Sequence, residues 1–130
     1  MKKLVFLLLA VMMLTACGQD TEKDQGAVYV NITAEEAKQI MDTEEGYIIL
    51  DVREQDEYDA GHIPEAILIP YTQIEEKANE MLTDKDQLIL VYCRSGRRSK
   101  IAAEALVELG YTNIKEFGGI IDWPYEVEKP

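Results

Sequence analysis

Cys93 leads the run Arg94, Ser95, Gly96, Arg97, Arg98, Ser99, a thiol followed at once by guanidinium groups and a glycine. The chemistry such a set offers is that of a sulfur nucleophile held as an anion. A free cysteine titrates near ~8.5, and beside cations at a helix N-terminus values of roughly 3.5 to 7.5 are usual, so the sequence predicts a mostly ionised sulfur at neutral pH. Gly96 suits the loop because a residue without Cβ lets the backbone curl its N–H groups inward around an anion. An unpaired cysteine is most often a small buried hydrophobe, but a packing residue has no use for three neighbouring arginines. Cys93 is therefore the expected catalytic residue, with Arg94, Ser95, Gly96, Arg97 and Arg98 as the substrate-binding loop. Arg98, at the helix entrance, is the better anion ligand, whereas Arg94 and Arg97 read equally well as solvated surface charge.

The elements that must position this loop follow from periodicity. Residues 87–92 are apolar and rich in β-formers, a strand buried on both faces. Beyond Ser99 the period changes: Ile101, Ala102, Ala105, Leu106 and Leu109 recur at helical spacing, and Gly110 stands where the helix would end. Cys93 is thus at the C-terminal end of a strand, where open parallel sheets bind ligands and the next helix aims its unpaired N–H groups and positive dipole end. Further strands are expected at 28–32, 47–52, 66–69 and 113–117. A helix opens at Thr33 with Glu36 three residues on, a capping-box pattern, another covers 74–81, and a short helical turn lies near 120–123. Alternating strands and helices define an α/β class with a mainly parallel central sheet and helices on both faces.

The N-terminal segment has Met1, Lys2 and Lys3, an apolar stretch, then Leu14, Thr15, Ala16 and Cys17. A stretch this short is an export signal rather than a membrane span, which needs ~20 apolar residues. Leu14-Thr15-Ala16-Cys17 resembles the bacterial lipobox, which implies that 1–16 is a lipoprotein signal peptide and Cys17 the lipidated first residue. Residues 17–27 then form a polar tether, and 28–130 a single domain. The resemblance places the protein outside the cytoplasm, held by lipid alone on the outer face of the cytoplasmic membrane or in the periplasm or cell envelope. Cys93 is left without a disulfide partner, and a lone thiol kept in an oxidising compartment favours chemistry over packing. Loss of 1–16 would remove Lys2 and Lys3 and no acid, deepening the formal charge from −12 to −14. Nucleic acid is not an expected partner of so acidic a chain.

Cys93-Arg94-Ser95-Gly96-Arg97-Arg98 resembles the active-site loop of rhodanese-homology sulfurtransferases. Asp51-Val52-Arg53 with Glu57, Tyr58 and Gly61-His62-Ile63-Pro64-Glu65-Ala66 is similar to the family's upstream motif, and Gly118-Gly119-Ile120 with Trp123 to its downstream one. The resemblance runs from about Val28 to Trp123 and implies a rhodanese-like fold. It also implies transfer of sulfane sulfur from thiosulfate or a similar donor to a thiol or to cyanide through a Cys93 persulfide. The related phosphatases and arsenate reductases have a loop one residue longer, and here Ser99 stands where their arginine would be. Two positions depart from the family pattern: Glu65 replaces a common glycine and Leu68 a frequent asparagine.

No organic cofactor is called for, and one histidine with one free thiol makes no metal site. His62 reads as a residue that holds its turn rather than as a general base. Asp51 and Arg53, together with Glu57, are expected to brace the loop edge as a buried ion-pair network. Trp123 and Tyr125 read as core or rim aromatics. A non-catalytic anion- or protein-binding module is the alternative, opposed by the retained cysteine. Thiol redox work lacks a resolving cysteine.

Overall fold

A computed structural model of the chain describes residues 28–130. Cys17, the segment before it and the whole 17–27 tether lie outside the described residues. The elements run β1 (Val30–Asn31), α1 (Ala34–Thr43), β2 (Ile48–Asp51), α2 (Gln55–Ala60), β3 (Ile67–Leu68), α3 (Ile74–Met81), β4 (Ile89–Cys93), α4 (Arg97–Glu108) and β5 (Ile114–Gly119). Short 3-10 turns lie at Tyr71–Gln73 and Ile120–Asp122. The strands form one sheet in the order β1-β5-β4-β2-β3, every pairing parallel.

The uniformly apolar run that predicted a central strand is β4, buried along its whole length. Side chains on a strand alternate between faces. Ile89, Val91 and Cys93 accordingly pack with Ile74 and Ala78 of α3 and Ala102, Ala103 and Leu106 of α4. Leu90 and Tyr92 join Ile49, Ala37 of α1, Ile63, Phe117 and Trp123 on the other face. Cys93 therefore belongs to the face covered by α3 and α4. The Thr33 capping box forms as expected: Glu36 N donates to Thr33 Oγ1 at 3.0 Å, and Thr33 N to Glu36 Oε1 at 2.9 Å.

Some elements differ from expectation. β1 is only two residues long and both are exposed, because it is an edge strand paired on one side. α2 has no buried residue and hence no apolar period to betray it; its first turn is held by the Glu54 N–H donating to Glu57 Oε1 at 3.0 Å. α4 starts at Arg97 rather than Ser99, which tightens the turn after Cys93.

Glu65 has φ +73°, in the left-handed region that costs an L residue roughly 1–2 kcal/mol. That is the physical reason a glycine fits there, and the exposed Glu65 side chain offers little in return. Glu65→Gly should raise stability by about 0.5–1 kcal/mol, the relieved strain less glycine's greater unfolded-state entropy. Urea unfolding at constant m-value checks it.

Candidate active site

The site is built where β4 and β5 end side by side. After a register shift beyond Val91, Cys93 pairs with Gly119, and the chain leaving Cys93 folds across the end of β5. A Cβ on Gly119 would lie 1.9 Å from the Arg94 carbonyl oxygen, so only glycine admits the loop at this distance. The Arg94 carbonyl accepts a hydrogen bond from Ile121 N at 3.2 Å. Gly96, at φ +112°, turns the backbone so that its own N–H donates to Cys93 Sγ at 3.0 Å. α4 then begins with no side chain capping its first turn, which leaves leading N–H groups and the positive dipole end for an anion. Cys93 keeps only 1% of its accessible surface. It sits on the floor of the loop because it points to the α4 side, packed among buried residues of α3 and α4.

The arginines divide. Arg94 and Arg97 are exposed at the rim with Ser95, and the Arg97 guanidinium lies 5.9 Å over the Tyr71 ring. Arg98, expected to be the better anion ligand, is paired with Glu57 of α2 through Nη1–Oε1 at 2.8 Å and Nη2–Oε2 at 2.9 Å. It ties the first turn of α4 to α2 in the two-point geometry that suits a guanidinium and a carboxylate. The Arg98 hydrogen bonds pull the Glu57 carboxyl from its ordinary 4.5 down to about 2, and the same pair raises Arg98.

Asp51 and Arg53 form the buried pair expected of them, without Glu57. Arg53 Nε and Nη2 donate to the Asp51 carboxylate, the closest contact being 2.7 Å, and Nη2 also donates to the Gly61 carbonyl at 2.8 Å. Burial opposes the Arg53 charge, and the Asp51 bonds outweigh it. Tyr92 joins them: its hydroxyl donates to Asp51 Oδ2 at 2.6 Å and accepts from Ile63 N at 3.0 Å. Burial, with the Asp51 charge, drives the Tyr92 phenol strongly upward. His62 stacks on Tyr58 with ring centroids 3.8 Å apart, and its Nδ1 lies 3.0 Å from the Tyr58 carbonyl oxygen. His62 and the Asp51–Arg53 pair thus hold the turn on the face opposite Cys93.

Two contributors escaped sequence reasoning. Ser99 is buried on the first turn of α4 with its Oγ 3.3 Å from Cys93 Sγ, and it donates a short hydrogen bond to Glu116 of β5. Glu116 is 2% exposed. A signal existed: Glu116 is two residues from Ile114, so period two puts it on the core face, where a carboxylate needs partners. A cleft of about 190 Å³ lined by residues including Met41, Tyr47, Ile63 and Trp123 lies on the α1 side and contains none of the loop.

The model of the Rhodanese-like domain matches residues 33–124, and the chain belongs to that family. YrkF of Bacillus subtilis (strain 168) is 36% identical over 112 residues, covering 85% of this chain and 60% of that protein. The chain therefore spans about three fifths of that relative's length. The thiosulfate sulfurtransferase PspE of Escherichia coli (strain K12) is 38% identical over 73 residues, 56% of this chain and 70% of PspE. The solved structure of an E. coli rhodanese with anions superposes with a TM-score of 0.61 at 34% identity, over 65% of this chain and 99% of that one. The family and the rhodanese fold expected from the sequence are thereby established, and sulfur transfer is the chemistry its relatives support.

Because the folded-state pKa of Glu57 is depressed, the Glu57–Arg98 pair contributes fully above 4.5 and fades as pH falls towards about 2. Glu57→Gln should lower the melting temperature at pH 7, and the gap between variant and wild type should close in that acid window. Thermal melts across pH read it directly.

Proposed function

We propose that this protein is a sulfurtransferase that takes sulfane sulfur from thiosulfate or a similar anionic donor onto Cys93 and hands it to a thiophilic acceptor. The observation that carries this reading is the Cys93 sulfur at the end of the central strand, with the Gly96 N–H on it at 3.0 Å and the start of α4 directly behind. Such donors favour a thiolate and a developing sulfur anion. In the first half-reaction the Cys93 thiolate attacks the donor's outer sulfur. A bond forms between the two sulfurs, the donor's own sulfur–sulfur bond breaks, and sulfite leaves with the electron pair. In the second, a thiolate or cyanide attacks the terminal sulfur of the persulfide, and the Cys93 thiolate is the leaving group. The sequence is ping-pong and needs no external oxidant or reductant.

Loop size and depth favour this donor class. Cys93 on the floor of a tight loop suits a reagent that presents one narrow atom, as a terminal sulfur does, better than a tetrahedral oxyanion. Incubation with thiosulfate without reductant should add one sulfur to the intact mass and release sulfite. Cys93→Ser should abolish the adduct and lower turnover at least about a thousandfold, as loss of a covalent nucleophile does. An unmodified wild-type mass across a donor panel of thiosulfate and polysulfide would return the chain to the class of binding modules.

The lipobox-like sequence supports placing this chemistry at the cell envelope on a lipid anchor at Cys17. Metabolic labelling with a radioactive fatty acid should mark the protein in a bacterial host, and Cys17→Ser should lose the label.

A further inference from the structure

Ser99 has one hydroxyl proton and several acceptors: the Glu116 carboxylate, the Gly96 carbonyl at 3.1 Å and the Gly118 carbonyl at 3.4 Å, with Cys93 Sγ at 3.3 Å. Glu116 is the nearest. Its own surroundings are those of a carboxylate, because every neighbour is a donor: Asn31 Nδ2 at 2.8 Å and Lys100 Nζ at 3.7 Å on one oxygen, Gly118 N at 3.0 Å and Ser99 on the other. Its contact with Ser99 is far shorter than the 3.3 Å to Cys93 Sγ, so even against an anionic sulfur the Ser99 proton goes to Glu116. What Ser99 turns to Cys93 is a lone pair.

We propose that Glu116 is a positioning residue for the sulfur chemistry: by claiming the Ser99 proton it denies the Cys93 sulfur a second hydrogen bond, from Ser99, beside the one from Gly96 N–H. The inference deepens the sulfur-transfer reading and takes from it the identity of the nucleophile. The charged groups around the sulfur explain the use of such a device. Arg94 on the loop, Arg97, Arg98 and Lys100 on α4, and the helix start all draw towards an anion. Glu57 of α2 is engaged with Arg98, α3 presents Ile74 and Ala78 on this face, and Asp51 and Arg53 pair on the opposite one. Glu116 of β5 is the acidic group that reaches the sulfur's neighbour. A thiolate loses intrinsic nucleophilicity as its basicity falls, with a Brønsted slope of about 0.4–0.5. Surrounded only by donors, the sulfur would be a stable but sluggish anion, and the Glu116–Ser99 pair is the counterweight.

The test is the rate of Cys93 alkylation by iodoacetamide against pH, in the full chain carrying Cys17→Ser so that Cys93 is the only thiol. In Glu116→Gln the carboxylate that holds the Ser99 proton is gone: with the amide oxygen kept towards Asn31 Nδ2 and Lys100 Nζ, its NH2 faces Ser99 and the Gly118 N–H bond is given up. The Ser99 proton is then free for the sulfur, and the midpoint should move to lower pH by about one unit. Ser99→Ala should leave the midpoint unmoved or lower. A midpoint unmoved or raised in Glu116→Gln overturns the proposal, and so does one raised in Ser99→Ala, which would make Ser99 a donor to the sulfur. If Glu116→Gln does not fold, the Ser99→Ala result decides by its sign. Alkylation needs no sulfur donor, so absence of sulfite release would defeat the functional reading and leave this one to be judged separately.

Discussion

The site depends on one close approach: the backbone leaving Cys93 crosses the end of β5 where Gly119 has no side chain. With 1.9 Å between the Arg94 carbonyl oxygen and the place a Cβ would occupy, any other residue must push the loop away from the sheet. The left-handed turn at Gly96 then completes the curl and returns an N–H to the sulfur. Two glycines far apart in sequence thus set one distance, and that distance decides whether the Cys93 sulfur is merely packed or carries a hydrogen bond from the loop. Gly96 makes available a left-handed turn and Gly119 a close approach that a Cβ would forbid, and neither supplies a reactive group.

The sheet separates two polar systems that would interfere if they shared a face. On the α1 and α2 side, Asp51, Arg53 and Tyr92 make a saturated buried network that fixes the Gly61–Ile63 turn. On the α4 side, Ser99 and Glu116 surround the sulfur. Alternation along β4 sends Tyr92 to the first and Cys93 to the second. Among the described residues no buried side-chain nitrogen or oxygen lacks a partner, and in a low-dielectric interior a half-satisfied network would cost more than an apolar one. The Glu57–Arg98 pair links α2 to the first turn of α4, so the brace on one face bears on the loop above the other.

The strands and the long helices were legible because their apolar periods are clean: β4 as an unbroken run, α4 as a three-to-four repeat ended at Gly110. The loop after Cys93 stands out in the sequence because a cysteine among arginines is odd chemistry for a core. α2 was not, since Gln55–Ala60 buries nothing and is held by its first-turn hydrogen bonds and the tie to Arg98. Arg98 shows nothing of its tie to Glu57 in the sequence, for the same reason. Its spacing from Cys93 is local, but its partner lies 41 residues upstream, and long-range ion pairs leave no period. Glu65 shows the converse: a departure in sequence alone, it becomes a statement about backbone strain once φ is known.

With Arg98 engaged by Glu57 and Lys100 beside Glu116, Arg94 and Arg97 are the cations an approaching donor meets at the rim. Exposed ion pairs contribute about 0–1 kcal/mol each and weaken with salt. Against a formal charge of −12 over the whole chain, two such contacts do little to concentrate anions at long range. Discrimination must therefore come at contact, from backbone N–H groups that the turn at Gly96 and the start of α4 hold in place before any donor arrives. Preorganised backbone donors need no reorganisation at the moment of reaction, and losing one from such a cradle typically costs about 3–4 kcal/mol. By that measure the geometry set by Gly96 and Gly119 outweighs the rim arginines in any hold on an anion at this loop.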